Sequence, residues 1–206
     1  MITAIGDVMR EAYKRNWITT RDGNCSLKRK SSDHLYITPS GVRKNVIYPE
    51  SILKIKIENS QLVMDEGMQP SGELEMHWYL QKAHGGTRCV LHLHPTYSVA
   101  AMLAGWDLQE LAKEFPEVHR YTKVAENVPT LPAISEVLAM CTYGKMVKGG
   151  VQHDIVGQDR HGVCAIGRNP WEAFEHVERV EHICKMALAA NYKVPHKTNI
   201  KKMLDF

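Results

Sequence analysis

The sequence predicts an α/β fold in which at least the N-terminal part of the sheet is antiparallel. Apolar residues recur at helical spacing from Ile5 to Trp17 and again in a long stretch after Asn169. Between these stretches several short segments alternate apolar and polar side chains, as strands do. The early strands follow one another without the long helices that parallel connections need. At 206 residues, the chain is most simply one domain, residues 1–206, long enough to bury a core.

The first half of the chain is predicted to contain two helices and four short strands. The first helix covers 5–17, and a turn at 21–24 leads into the first strand. Further strands are predicted over 34–38, 52–57 and 61–64. The second helix opens at Pro70-Ser71-Gly72-Glu73, where Ser71 is the candidate N-cap and Glu73 lies in the first turn. It is expected to end near Gly85.

The second half is predicted to supply the remaining strands and the longest helix. The pattern gives strands over 89–93, 151–156 and 163–167, helices over 97–103 and 108–115, a proline-fixed connection over 128–132 and a helix starting near Ser135. Asn169, Pro170 and Glu172 are together typical of a helix start. The helix that follows should pack on the sheet as far as about Ala190.

Composition excludes several function classes. The net charge is +3, and acidic and basic residues are interleaved, so nucleic-acid binding is not expected. No segment approaches the roughly 20 apolar residues needed to span a bilayer, so no membrane association is expected. The five cysteines form no Cys-x-x-Cys pair and the N-terminus does not resemble a signal peptide, which favours reduced thiols and a cytoplasmic location.

The segment Cys89–Pro95 contains the pattern His92-x-His94. In a strand these two side chains lie on the same face, about 7 Å apart along the chain, and could chelate one transition metal. Two unrelated histidines are the alternative, so a third ligand is needed. His161 could supply it, since it occupies a turn beside a glycine; His153 is the competitor. The others considered, His77, His84, His119, His176 and His182, are expected to lie away from any metal.

Nearby turns and a carboxylate could complete a site. If the second helix and the histidine strand fold back on each other, Glu73 approaches His92 and His94, although a carboxylate at that position is also typical of a helix start. Turns around Asn24 and Ser40 offer backbone and side-chain donors that could bind an oxyanion. Each of these turns, taken alone, is more often only a turn.

Five motifs in fixed order, spanning roughly residues 5 to 190, resemble the class II aldolase and adducin-like family. This family contains aldolases, epimerases and dehydratases of sugar phosphates. The motifs are Gly23-Asn24-x-Ser26, Ile37-Thr38-Pro39-Ser40-Gly41, Pro70-Ser71-Gly72-Glu73-x-x-x-His77, Leu91-His92-x-His94-Pro95 and His161-Gly162-x4-Gly167.

The resemblance implies a three-layer α/β/α fold with a largely antiparallel central sheet, assembled as a homotetramer with active sites between subunits. It implies Zn²⁺ held by His92, His94 and His161, with Glu73 as the acid/base. The residues implied to bind the substrate phosphate are Asn24, Ser40, Gly41, Ser71 and Gly72. The implied reaction is cleavage of a ketose 1-phosphate, such as fuculose 1-phosphate, to dihydroxyacetone phosphate and an aldehyde through a metal-stabilised enediolate.

The sequence departs from the family pattern at three positions. Gly72 replaces a second serine of the fuculose-phosphate enzymes, and Ala133 stands where sugar-phosphate aldolases have a catalytic tyrosine. Asn127 stands where the epimerases have an aspartate. Possible substitutes for the tyrosine are Tyr121, Tyr143 and Tyr192. A dehydratase or decarboxylase, a 4-epimerase and a non-catalytic adducin-like module therefore remain alternatives.

Overall fold

The computed structural model describes residues 1–83, 88–147 and 152–192. The helices are α1 (Ile2–Lys14), α2 (Leu74–Lys82), α3 (Thr96–Leu103), α4 (Leu108–Lys113), α5 (Pro116–Tyr121), α6 (Glu136–Met146) and α7 (Pro170–Ala189), with two 3₁₀ turns at Lys44–Val46 and Pro49–Ser51. The strands are β1 (Asn24–Lys28), β2 (His34–Ile37), β3 (Leu53–Glu58), β4 (Gln61–Val63), β5 (Arg88–Leu93), β6 (Val124–Val128), β7 (Ile155–Gln158) and β8 (Gly162–Gly167).

The strands form one mixed sheet in the order β4-β3-β2-β1-β5-β8-β7-β6. The four N-terminal strands pair antiparallel, as predicted. At the other edge β6 pairs parallel with β7, so the expectation of a largely antiparallel sheet is corrected to a mixed one. The reason is that β6 and β7 are separated by α6, a helical connection that lets two strands run in the same direction.

Helices cover both faces of the sheet. In β5, Leu91 and Leu93 face one apolar cluster, to which α1, α3, α4 and α7 contribute, whereas Val90 faces a second cluster with α2 and α6. Successive side chains of a strand point to opposite faces, so the two clusters lie on opposite sides of the sheet. All six residues of β5 are buried, as expected for a strand in the middle of a covered sheet. The side chains of β5, including His92, are therefore packed on all sides.

The predicted helix starts were confirmed at two of three places. Ser135 caps α6 by accepting a hydrogen bond from the backbone N–H of Leu138, and Asn169 caps α7 in the same way through Glu172. Ser71 is not the N-cap of α2, which begins three residues later. Its carbonyl instead accepts from Leu74 N at 3.0 Å and makes a turn before the helix.

Other element boundaries also differ from expectation. The predicted strand over 151–156 begins at Ile155, and the start of that prediction lies outside the described residues, as does Gly85. β6 and α5 were not predicted. Within the described ranges no helix is both long and apolar enough to cross a bilayer. All five cysteines are free thiols, as predicted.

Candidate metal centre

Three histidine rings converge at one end of the central strands. The ligand nitrogens of His92, His94 and His161 all lie within 4.8 Å of one another. The ring centroids are separated by 4.8, 4.8 and 5.0 Å. Such a group of imidazoles is the donor set that a catalytic zinc ion takes, with coordination positions left for water or substrate.

The sheet register explains why histidines from two distant segments meet. β8 runs antiparallel to β5, and Val163 pairs with Leu93. The turn that precedes β8 therefore lies beside the end of β5. His161 occupies this turn, His92 lies within β5 and His94 follows directly after it. The prediction that these three side chains could meet rested on their positions in sequence, and the pairing of β5 with β8 brings them together.

The hydrogen bonds of His92 define its protonation state. Its Nδ1 lies 3.1 Å from the carbonyl oxygen of Val163, so Nδ1 carries the proton and donates it. The Nε2 lone pair then faces Nε2 of His94 at 2.8 Å. Burial lowers the pKa of both rings, His92 strongly, and the neighbouring histidines lower it further. Neutral imidazoles with free lone pairs are the form that binds a metal.

Gly162 provides the room that the cluster needs. A Cβ atom at this position would lie 2.4 Å from the carbonyl oxygen of Leu93, 2.7 Å from His94 Cδ2 and 3.0 Å from His92 Cε1. No side chain fits in that space without displacing backbone and both rings. The absence of a side chain beside His161 is thus a condition for the convergence of the three histidines.

Glu73 reaches the cluster from the turn before α2. The backbone N–H of Ser71 donates to Thr38 O at 3.1 Å, which ties this turn to the end of β2. The carboxylate is 8% exposed, with Oε2 3.3 Å from His92 Nε2 and Oε1 3.9 Å from His161 Nε2. Buried atoms Oε1 of Glu73 and Nδ1 of His161 have no hydrogen-bond partner among the described residues. A bound ligand would supply such partners, so these atoms fit a metal and substrate site.

A chain of buried hydrogen bonds holds the other oxygen of Glu73. Asn24 Nδ2 donates to Glu73 Oε2 at 2.8 Å, and Asn24 Oδ1 accepts from His77 Nε2 at 2.5 Å. His77 Nδ1 must then accept from Ser26 Oγ at 2.7 Å, and Ser26 Oγ accepts from Gln81 Nε2 at 3.0 Å. Each hydrogen bond in this series is therefore donated in the direction of Glu73 Oε2. Oε1 is consequently the oxygen left free to exchange a proton.

A cavity of about 290 Å³ opens beside Glu73, His94 and His161. All five residues predicted to bind phosphate line it: Asn24, Ser40, Gly41, Ser71 and Gly72. The side chain of Asn24 is largely engaged by Glu73 and His77, which leaves one amide hydrogen for a ligand. A Cβ atom on Gly72 would lie 3.0 Å from Cγ2 of Ile134, so a serine here would press on Ile134.

Among the described residues, the other histidines do not belong to the metal-binding group. His153 precedes β7, whereas His161 follows it, and the metal-binding group contains only the latter. His119 and His182 are exposed, His176 accepts from or donates to Thr122 Oγ1 at 3.0 Å, and His84 lies outside the described residues. His77 is buried with both nitrogens bonded. Its role as a support for Asn24 was not predicted, although the Glu73-x-x-x-His77 spacing places both at the start of one helix.

The positions that distinguish the family branches differ in whether they border the cavity. Among the described residues the cavity is lined by Ala133 and by no tyrosine. Tyr121 and Tyr143 are exposed on α5 and α6, and Tyr192 follows α7. Asn127 accepts from Leu108 N, donates to Trp106 O and so fixes the loop before α4. It does not line the cavity.

Comparisons with known proteins identify the family of this chain. The family model for the Class II Aldolase and Adducin N-terminal domain matches residues 3–188. An L-fuculose phosphate aldolase of Methanococcus maripaludis is 27% identical over 179 residues, covering 87% of this chain and 91% of that protein. A methylthioribulose-1-phosphate dehydratase of Xanthomonas oryzae pv. oryzae is 30% identical over 189 residues, covering 87% and 81%.

Solved structures share the fold. The L-fuculose-1-phosphate aldolase of Thermus thermophilus superposes with a TM-score of 0.73 at 22% identity, covering 91% of this chain and 92% of that one. A sugar-phosphate aldolase of Thermotoga maritima gives 0.71 at 20% identity, covering 93% and 96%. With the family model matching most of its length, the chain belongs to the class II aldolase and adducin family.

Proposed function

We propose that this protein is a zinc-dependent aldolase that cleaves a ketose 1-phosphate, such as fuculose 1-phosphate, to dihydroxyacetone phosphate and an aldehyde. The observation that carries the proposal is the convergence of His92, His94 and His161 with Glu73 beside a cavity that Glu73, His94 and His161 line. A non-catalytic adducin-like role would not require all three histidines and the carboxylate to be kept together.

The proposed roles follow from the contacts of each side chain. His92, His94 and His161 would hold Zn²⁺, which when bound would polarise the substrate carbonyl and stabilise negative charge on its oxygen. Glu73 would exchange a proton through Oε1 at the carbon that loses its bond, because Oε2 is occupied by Asn24. Asn24, Ser40, Gly41, Ser71 and Gly72 would bind the phosphate and fix the reacting carbon beside Glu73.

A dehydratase is the second candidate, and Ala133 is the observation that favours it. Aldolases of this family use a tyrosine at that position, and Ala133 offers no group to accept the proton from the hydroxyl that becomes the aldehyde carbonyl. Loss of water from a sugar phosphate such as methylthioribulose 1-phosphate needs the same metal and the same carboxylate. The dehydratase of Xanthomonas oryzae, at 30% identity, supports this candidate.

We also propose that residues 1–206 form a single domain that assembles as a cytoplasmic homotetramer with active sites between subunits. Large apolar side chains exposed on the monomer support an interface, among them Ile134 on the rim of the cavity, which is 68% exposed. A neighbouring subunit covering this rim would also exclude water from the reaction.

The test is a substrate panel on the zinc-loaded protein. The panel contains ketose 1-phosphates, pentulose 5-phosphates and methylthioribulose 1-phosphate, with enzyme-coupled detection of dihydroxyacetone phosphate. We expect dihydroxyacetone phosphate from a ketose 1-phosphate, and we expect Glu73→Gln to keep its zinc and lose turnover. Consumption of methylthioribulose 1-phosphate alone, without dihydroxyacetone phosphate, would replace the aldolase proposal by the dehydratase.

A further inference from the structure

The predicted phosphate site lacks a positive charge. The five residues assigned to it contribute amide, hydroxyl and backbone N–H donors, all of them neutral. A phosphate monoester carries close to two negative charges at neutral pH. Neutral donors can orient such a group. A cation that is already buried would bind it more strongly, because the cation loses no further bound water when the phosphate arrives.

Lys44 lines the same cavity and is buried without a direct ion pair among the described residues. It is only 2% exposed, at the start of the 3₁₀ turn Lys44–Val46. Its Nζ donates to the carbonyl oxygens of Val42 at 2.9 Å and Arg21 at 3.3 Å. No carboxylate in the described part of the chain forms an ion pair with it. Burial lowers the pKa of Lys44, and the charge of Asp22, which also borders the cavity, opposes this shift without direct contact. A buried ammonium normally has an ion-pair partner, because removing the charge from water is costly.

The hydrogen bonds of Lys44 leave one proton unused. An ammonium group has three N–H donors, and two of them bind neutral carbonyl oxygens. The third is available on a side chain that borders the cavity. An anion in the cavity would provide the missing acceptor and a negative charge in direct contact with the ammonium group. Arg21 also borders the cavity, but it is exposed and its charge is screened by water.

We infer that Lys44 is the cationic anchor for the phosphate group of the substrate. The inference rests on the proposed sugar-phosphate function and extends it, since neither the family motifs nor the resemblance assigned Lys44 a role. The phosphate would lie between Lys44 and the donors around Ser40 and Ser71, with the rest of the substrate directed toward the three histidines.

The test measures binding of inorganic phosphate to the zinc-loaded protein by isothermal titration calorimetry. Lys44→Met removes the charge at similar length, and Lys54→Met makes the same change at an exposed lysine of β3. We expect at least about a tenfold weaker affinity for Lys44→Met, because a charge-assisted hydrogen bond is lost, and no change for Lys54→Met. Lys44→Gln, which keeps an N–H donor for the carbonyl groups, serves if the methionine variant does not fold.

A second measurement uses only the wild-type protein. Phosphate should slow the reaction of Lys44 with an amine-reactive reagent, followed by peptide mass spectrometry, and should leave the rate at Lys54 unchanged. Wild-type phosphate affinity in the Lys44 variants would overturn the inference. A Lys44 reaction rate that is the same with and without phosphate would also overturn it. Because neither readout needs turnover, an inert substrate panel with Lys44-dependent phosphate binding would reject only the aldolase proposal.

Discussion

Gly162 is the residue on which the metal centre depends most directly without being a ligand. We predict that Gly162→Ala destabilises the fold by at least about 2 kcal/mol, because its Cβ would overlap Leu93 O at 2.4 Å and press on His94. Zinc affinity should fall with it. Gly144→Ala is the control, since nothing lies within 4 Å of a Cβ there and alanine in helix α6 should stabilise by roughly 0.5–1 kcal/mol.

Both variants are measured by urea unfolding and by zinc content after purification. If Gly162→Ala unfolds at the same urea concentration as wild type and keeps its zinc, then the close approach of β5 and the turn before β8 is not a constraint on the site.

His77 should make stability depend on pH. Its complete burial lowers its pKa to about 4, against about 6.5 in an unfolded chain. Between these values the unfolded chain binds a proton that the folded protein does not, so stability is retained above pH 6.5 and is lost as the pH falls toward 4. The loss from this residue should be about 2 kcal/mol between pH 7.5 and pH 5.

The variant His77→Gln isolates this contribution. Glutamine does not titrate, and its amide can accept from Ser26 and donate to Asn24 as the imidazole does. Urea unfolding in chelator at the two pH values should show a drop in the free energy of unfolding that is about 2 kcal/mol smaller than in wild type. Equal drops in the two proteins would show that His77 takes up a proton in the folded state.

The roles of side chains that follow from local sequence spacing were predictable. The roles that depend on contacts with residues distant in sequence were not. The period of a strand places His92 and His94 on one face, and the turn beside Gly162 marks His161. Lys44 has no such local signal, and the Glu73-x-x-x-His77 spacing does not show that His77 supports Asn24. His77 is significant because it binds Asn24, and Lys44 because it binds the carbonyl oxygen of Arg21 and borders the cavity. The sheet and its connections bring these groups together. A buried histidine and a surface histidine look alike in sequence.

At the level of whole elements, the start of α7 combines signals that the sequence shows clearly. Asn169 Oδ1 accepts from Glu172 N at 3.0 Å, and Pro170 is the first helical residue. We predict that Asn169→Ala lowers the free energy of unfolding by about 1 kcal/mol, because an N–H at the helix end loses its partner. Asn169→Asp keeps the acceptor and should unfold close to wild type. A loss for aspartate as large as for alanine would mean that the capping bond is not the stabilising contact.

The strand at the parallel edge of the sheet, β6, could not be predicted from the sequence pattern. β6 consists of Val124–Val128 and contains Glu126 and Asn127 in its middle, so its apolar residues do not form a clear alternation. Asn127 lies in the strand because its side chain bonds to Leu108 N and Trp106 O. These contacts come from the preceding loop and helix, and they favour an extended backbone that the local sequence does not indicate. Without β6, the crossover through α6 and the mixed sheet could not be predicted.

For the molecule as a whole, the central strands place the site and the helical layers keep it rigid. β5 is paired on both sides, with β1 through Asn24 and His92 and with β8 through Cys164 and His92. The pairing with β1 sets the distance from His92 to Glu73, because Asn24 binds Glu73. The pairing with β8 sets the distance from His92 to His161, because His161 directly precedes β8. Binding of a metal at this point should consequently stabilise the entire fold and not one loop alone.

Zinc removal is the prediction that tests this coupling. At a free zinc concentration about 100 times Kd, binding to the folded state adds about 2.7 kcal/mol. For a chain of this size that corresponds to a rise of roughly 5–10 °C in Tm. Wild type should therefore lose roughly 5–10 °C on addition of a chelator. His161→Ala should have a Tm that the chelator does not change, because one of the three converging nitrogens is absent.

His153→Ala is the matched control, since it removes an imidazole that lies before β7 and outside the metal-binding group. It should keep the chelator effect of wild type. A wild-type Tm that is indifferent to the chelator would contradict a resident metal ion. A chelator effect that disappears in His153→Ala and persists in His161→Ala would show that the metal is bound by a different set of side chains from the three that converge at the end of β5.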